Sequence, residues 1–145
     1  MKYYFAYGSN LNMKQMQSRC PKSKMIGKSK LDGYRLLFRK HSNRSDGVLT
    51  IEKADGKAVP IGIFQISSSD EKALDKCEGV ATYCYGKEYI ECCFNGETKK
   101  GLVYIMLNPS KAVPSPAYYE RVKQGYKDFE FDICYLEESR QECQN

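Results

Sequence analysis

The chain opens on an apolar run, Tyr3-Tyr4-Phe5-Ala6-Tyr7, that stops at Gly8-Ser9-Asn10. A short aromatic run closed by such a break reads as a buried strand. Asn10 or Asn12 then caps a short helix to about Arg19, with Leu11, Met13 and Met16 as its apolar positions, and Pro21 ends it. Two extended stretches follow, around residues 23–29 and 34–39. The polar segment 41–47 reads as a loop, and Val48-Leu49-Thr50-Ile51 as the next strand. Asp55-Gly56-Lys57 carries a hairpin turn signal. Beyond it, Val59, Ile61, Ile63, Phe64 and Ile66 mark a partly buried strand.

Ser67-Ser68-Ser69-Asp70 is a helix start, and Ala73, Leu74 and Cys77 form the apolar stripe of the helix that follows. Gly79 terminates that helix, which places Glu78 in its last turn. Residues 83–94 read as a long strand, Asn95-Gly96 as a type I′ turn, and residues 98–107 as the antiparallel partner. Ser115-Pro116 pairs an N-cap with proline at the first helical position, opening a helix to about Phe129. The polar remainder either forms a last short helix or frays. Strands and helices do not alternate as βαβ units, which argues against a doubly wound parallel sheet. The expected fold is α+β: a small, mixed, mostly antiparallel β-barrel flanked by a few helices, in one domain over residues 1–145.

Composition narrows the function. The net charge of +5 comes from 23 basic and 18 acidic residues spread along the chain, without the dense basic stripe of a nucleic-acid surface. A basic barrel that binds RNA would need aromatic and basic residues gathered on one sheet face. The seven cysteines include no CxxC pair and His41 is the only histidine, so a Cys/His zinc site is unsupported. Free thiols, no secretory leader and no apolar run near the roughly 20 residues of a membrane span point to a cytoplasmic protein. Neither a metal nor a cofactor is expected, and the protein is expected to be a monomer or homodimer without nucleic-acid or membrane partners.

Three features carry possible chemistry. A strand that ends at Gly8 and turns into a helix start leaves backbone N–H groups pointing outward, a cradle for carboxylate or phosphate. The same residues also make an ordinary turn, and neither GxGxxG nor GxxxxGK[ST] is present to support a nucleotide site. Glu78 is a carboxylate at the end of a helix, where the dipole disfavours it; buried in an apolar pocket it would titrate near neutrality and move protons. Tyr85, Tyr104, Tyr118 and Tyr119 offer packing surface or pocket lining. His41, in a polar stretch, reads as a surface residue. Ser9 lacks a Gly-x-Ser-x-Gly elbow, and the cysteines read as core or surface thiols.

Together these segments resemble one family. Tyr4-Phe5-Ala6-Tyr7-Gly8-Ser9-Asn10-Leu11 is similar to the opening signature of the γ-glutamyl cyclotransferase superfamily, which includes the AIG2-like proteins. Leu74-Asp75-Lys76-Cys77-Glu78-Gly79-Val80 resembles its Leu-Asp-x-x-Glu-Gly segment. Gly47 to Ile51 and Gly62-Ile63-Phe64 resemble its central strands, and Pro114 to Tyr118 its Pro-Ser-x-x-Tyr segment. The match is collinear over roughly residues 3 to 130. The resemblance implies an intramolecular reaction in which the α-amine of a γ-glutamyl compound attacks its own γ-carbonyl, giving 5-oxoproline and a released amine. It implies Glu78 as acid/base, Tyr7, Gly8, Ser9, Asn10 and Leu11 as the substrate loop, Tyr118 as pocket lining, and Tyr85 and Tyr104 as further lining. It leaves the substrate open among γ-glutamyl amino acids, isopeptide products of the γ-glutamyl-lysine type and a biosynthetic intermediate. A non-catalytic binding or interaction protein on the same scaffold is the rival reading; its mark would be a blocked pocket or a Glu78 turned to solvent.

Overall fold

The computed structural model describes residues 2–41, 45–82 and 84–145, so part of the expected loop at 41–47 and the first residue of the expected strand at 83–94 lie outside the described residues. In chain order the elements are β1 (Lys2–Ala6), a 3₁₀ turn (Ser9–Leu11), α1 (Met13–Arg19), β2 (Lys24–Lys40), β3 (Gly47–Ile66), α2 (Ser68–Glu78), a second 3₁₀ turn (Val80–Thr82), β4 (Tyr85–Phe94), β5 (Glu97–Met106), α3 (Pro116–Asp128) and α4 (Cys134–Gln144). The strands form one sheet in the order β2-β3-β1-β5-β4. Every neighbouring pair is antiparallel except β1 and β5, which run parallel.

The sheet is mixed and mostly antiparallel, but it is not a closed barrel. Its edge strands β2 and β4 approach without forming a ladder, and side chains fill the seam. A Cβ on Gly27 would lie 2.6 Å from the Phe94 ring. The Ser29 hydroxyl donates to the Cys93 carbonyl. Main-chain closure would need these backbones about 4.8 Å apart, and the intervening ring prevents it.

Two expected breaks are absent. Residues 24–40 form one strand, with register shifts at Met25/Gly27 and Asp32/Tyr34 instead of an interruption. β3 continues through Asp55-Gly56-Lys57, with residues 54–57 out of register opposite Gly33. A type I′ hairpin needs positive φ at both central residues. Gly56 has φ 79° but Asp55 does not share it, so this glycine serves an irregularity opposite Gly33 rather than a turn. Asn95 and Gly96 do both have positive φ, at 52° and 76°, and they join β4 to β5.

The helix signals translate directly. Ser67 and Asp70 complete a reciprocal capping box at α2, and Gly79 ends it in the left-handed conformation. Asn12, not Asn10, caps α1 through Gln15 N–H. Ser115 caps α3 with Pro116 in its first turn. The C-terminal segment is ordered as α4: Ser139 donates to the Leu36 carbonyl at 2.9 Å, and Arg39 pairs with both oxygens of Glu142 at 2.8 and 3.0 Å. The core comprises Phe5, Phe64, Ile61, Ile63, Leu102 and Val103 of the sheet with Leu11, Val122, Tyr126 and Leu136 from the surrounding elements. Among the described residues, no helix is long and apolar enough to cross a membrane.

Candidate active site

β1 is short, and its end frees the chain to turn away at Gly8. The first half of β3, which pairs with β2 on one side, therefore has main-chain groups to offer at its other side. Tyrosine hydroxyls take them. Leu49 N–H donates to Tyr118 Oη at 3.1 Å, and the Leu49 carbonyl accepts from Tyr85 Oη at 2.9 Å. Thr50 Oγ1 accepts from Met106 N–H at 2.9 Å, tying this edge to β5. The Tyr7 hydroxyl donates to the Tyr104 carbonyl. The result is a cavity of about 80 Å³ walled by Tyr4, Tyr7, Tyr85, Tyr104 and Tyr118, the main chain at Gly8-Ser9-Asn10 and Leu49, and the side chains of Arg19, Glu78 and Arg121.

Glu78 enters from the end of α2. Three residues from the sheet hold that helix in place: Lys87 on β4 bridges Glu71 and Asp75, Lys2 on β1 reaches Glu71 at 2.8 Å, and Tyr104 on β5 donates to Asp75 Oδ1 at 2.8 Å. Glu71, Asp75 and Glu78 recur at i, i+4 and i+7 on one face of α2, so anchoring that face to the sheet directs Glu78 toward the cavity. Its carboxyl is half-buried, screened by protein except toward the cavity. Burial raises its pKa to about 7, and the positive charge of Arg19 pulls weakly the other way. No hydrogen bond from a described residue reaches this carboxyl to stabilise its charged form. The phenols show why. Those of Tyr7, Tyr85 and Tyr104 already donate to main-chain or Asp75 oxygens. Burial first, and the Glu78 charge after it, hold the Tyr4 and Tyr7 hydroxyls well above the ordinary phenol range, so all are neutral donors at neutral pH.

The loop is rigid by construction. Asn10 is buried; its amide nitrogen donates to Tyr4 Oη at 3.0 Å, while its oxygen accepts from Gln15 at 3.1 Å and Arg19 at 3.0 Å. Ser9 Oγ accepts from Gln15 at 2.7 Å. As the first residues of a 3₁₀ turn, Ser9 and Asn10 have main-chain N–H groups without an acceptor inside that turn. A Cβ on Gly8 would make ordinary van der Waals contact with Tyr118 Oη at 3.5 Å and Leu49 Cβ at 3.6 Å.

Of the residues singled out in the sequence, Tyr7, Gly8, Ser9, Asn10, Glu78, Tyr85, Tyr104 and Tyr118 all line this one cavity. Leu11 does not; its side chain is fully buried between Gly62 and Gly125, in the core. Tyr119 does not line the cavity; it packs against Phe38 and Arg140. His41 is not a surface residue: it lines the cavity, with Nε2 3.1 Å from Cys84 Sγ. Besides His41, six lining residues went unremarked as site residues in the sequence: Tyr4, Arg19, Val48, Leu49, Cys77 and Arg121. Arg121 could have been found, because it lies three residues beyond Tyr118 on the same helix face. Tyr4, Arg19 and Leu49 carry no such signal, and Leu49 contributes through its main chain. Among the described residues, no group of His, Cys, Asp and Glu side chains is arranged to hold a metal ion.

A carboxyl raised to about 7, a loop whose first N–H groups have no acceptor inside their turn, and two guanidinium groups line one cavity, an arrangement suited to proton transfer on a small anionic ligand. The chain is 28% identical to human gamma-glutamylcyclotransferase over 142 residues, which is 92% of this chain and 74% of that one. It superposes on a solved structure of a gamma-glutamyl cyclotransferase with TM-score 0.86 at 26% identity, covering 96% of this chain and 86% of the other. The fold is shared with YkqA from Bacillus subtilis, with TM-score 0.80 at 20% identity over 99% of this chain and 54% of that one. The sequence profile of the family described as gamma-glutamyl cyclotransferase, AIG2-like, matches residues 4–127, from the aromatic strand through the glycine loop and Glu78 to the helix that carries Tyr118, and the chain belongs to that family.

Proposed function

We propose that this protein is a γ-glutamyl cyclotransferase in which Glu78 is the general acid and base. The observation that carries the reading is the Glu78 carboxyl itself: raised to about 7 and placed in the same cavity as the Tyr7-Gly8-Ser9-Asn10 loop. Ionised, it takes a proton from the α-ammonium of a γ-glutamyl compound. The freed lone pair attacks the γ-carbonyl carbon and the carbonyl electrons move to oxygen. As the intermediate collapses, the bond to the leaving nitrogen breaks and Glu78 returns its proton to that nitrogen; the second proton on the new ring nitrogen passes to solvent. The products are 5-oxoproline and an amine.

A pKa near 7 suits both halves of this task better than an ordinary carboxyl does. The loop N–H groups and Arg19, which Asn10 holds beside them, fit the glutamyl α-carboxylate. Fixing that end folds the chain so that its amine faces its own carbonyl. Tyr118, whose oxygen accepts from Leu49 N–H, keeps its proton to donate to the oxygen that becomes negative. Asn10 and Tyr85 frame the cavity, because their side-chain groups are engaged elsewhere. The mark of the rival reading, a binding protein on the same scaffold, is a blocked pocket or a solvent-facing Glu78; an open cavity with a half-buried Glu78 favours the enzyme. Incubation with a panel of γ-glutamyl amines and amino acids should release 5-oxoproline. Glu78→Gln should lower kcat by at least about a hundredfold with the circular-dichroism spectrum unchanged; full turnover in that variant removes Glu78 from the mechanism.

A further inference from the structure

A helix ordinarily docks on a sheet through roughly three to four apolar residues per two turns. α2 has less. Leu74 is fully buried, but Ala73 is half-buried and Cys77 is exposed. A single leucine leaves the helix able to roll about its own axis. That roll decides where Glu78 points, because its carboxyl shares a face with Glu71 and Asp75.

Charged groups supply the rest of the contact. Lys87 and Tyr104 are partners across β4 and β5, so both side chains stand on the face that carries α2. Lys87 Nζ lies 2.9 Å from Asp75 Oδ1 and also binds Glu71, while Tyr104 donates to the same Asp75 oxygen at 2.8 Å. Burial opposes the charge on Lys87, but its hydrogen bonds to Glu71 and Asp75 outweigh that and hold its pKa above the ordinary lysine range. Lys2 contributes less: it reaches only Glu71 among the described residues of α2, and its side chain is 46% exposed against 25% for Lys87. Glu78 lies three residues beyond Asp75. The chief cause of its raised pKa is burial, with Arg19 pulling weakly the other way. Among the described lining residues, the other titratable groups around it are Arg121, His41, Cys77 and the neutral phenols of the wall. A Glu78 turned toward water would therefore lose most of that shift.

Building on the cyclotransferase reading, we propose that Lys87 is a positioning residue for the reaction: by gripping Glu71 and Asp75 together it fixes the roll of α2 and keeps the Glu78 carboxyl turned into the cavity. Lys87 does not line the cavity, so it acts through α2 and not on the reacting atoms. Acid–base groups work only within a narrow range of positions, and a small misplacement caused by a distant residue lowers turnover steeply.

The test follows 5-oxoproline release against pH, from whichever member of the γ-glutamyl panel the parent turns over fastest. Lys87→Met keeps the aliphatic stem and removes the charge. It should lower kcat by about tenfold or more. It should also move the inflection of kcat/KM down from about 7 toward the ordinary glutamate value of 4.5, as Glu78 gains water. Lys87→Arg keeps the charge and should stay within about threefold of the parent, with its inflection near the parent's. Should Lys87→Met not fold, Asp75→Asn carries the same test, because its amide oxygen still accepts from Tyr104 while the ion pair with Lys87 is gone. A Lys87→Met variant that melts earlier but keeps the parent's kcat and inflection overturns the proposal, since Lys87 is then merely structural. An inflection that moves up overturns it too, because the charge left on Asp75 would then govern Glu78 instead of its position. So does a Lys87→Arg variant as impaired as Lys87→Met. In each of these cases the parent still releases 5-oxoproline and the cyclotransferase reading stands. Release by the parent from no member of the panel overturns that reading, and the role of Lys87 with it.

Discussion

At the residue scale, Glu78 concentrates both the chemistry and its energetic cost. An ordinary glutamate has a pKa of 4.5, and burial raises this one to about 7. Below about 4.5 the carboxyl is protonated in the folded and unfolded chains alike. Between the two values the unfolded chain has released its proton while the folded chain keeps it, so stability falls as pH rises, by at most about 3 kcal/mol. Above about 7 the loss is complete. Glu78→Gln has no proton to release and should escape it. Urea midpoints measured at pH 5 and pH 8 should show the parent weaker at pH 8 and the variant changing less between the two. The same titration governs turnover: kcat/KM should rise as pH passes about 7 and then level off, as the base form fills. A profile that levels off near pH 5 would mean the carboxyl is solvated.

At the scale of elements, the site depends on how α3 lies on the loop. Gly125 allows this. A Cβ there would fall 2.6 Å from Asn12 N and 2.6 Å from the Leu11 carbonyl carbon, both rigid main-chain atoms. Glycine inside a helix costs about 1 kcal/mol relative to alanine, yet here alanine would force α3 off the 3₁₀ turn and carry Tyr118 and Arg121 away from the cavity. Gly125→Ala should therefore destabilise by about 1–3 kcal/mol, against its better helix propensity, and raise KM in the same variant. Differential scanning calorimetry and steady-state kinetics read the two effects separately. α2 is the other positioning element. Its capping box, its left-handed stop at Gly79 and its register were legible in the sequence, since capping depends on side chains a few residues apart. The inward aim of Glu78 was not, because it depends on Lys2, Lys87 and Tyr104 from three different strands.

For the whole molecule, the deciding feature is a sheet curled almost to closure and sealed at the seam by side chains. Phe94 lies over Gly27, and Ser29 reaches the Cys93 carbonyl. Phe94→Ala should cost about 2–4 kcal/mol and leave kcat near the parent value, because the seam is remote from the cavity lining; thermal melts with activity assays check this, and a collapse of turnover without loss of stability would contradict it. Local signals in the sequence determined most of the elements: the aromatic β1, the caps of α2 and α3, the Asn-Gly turn, and the loop and Glu78 as candidates. These depend on interactions within a few residues, which a linear pattern records. The sequence misplaced the turn at Gly56 because a positive-φ glycine serves a bulge as well as a hairpin, and only the strand paired across from it distinguishes the two. Closure of the sheet, the burial of Leu11 in the core, the approach of His41 to Cys84, and the meeting of Arg19, Arg121, Leu49 and five tyrosines around one carboxyl were decided by tertiary structure. Each joins residues tens of positions apart, and contacts of that range follow from how the elements pack, not from the spacing of residues along any one of them.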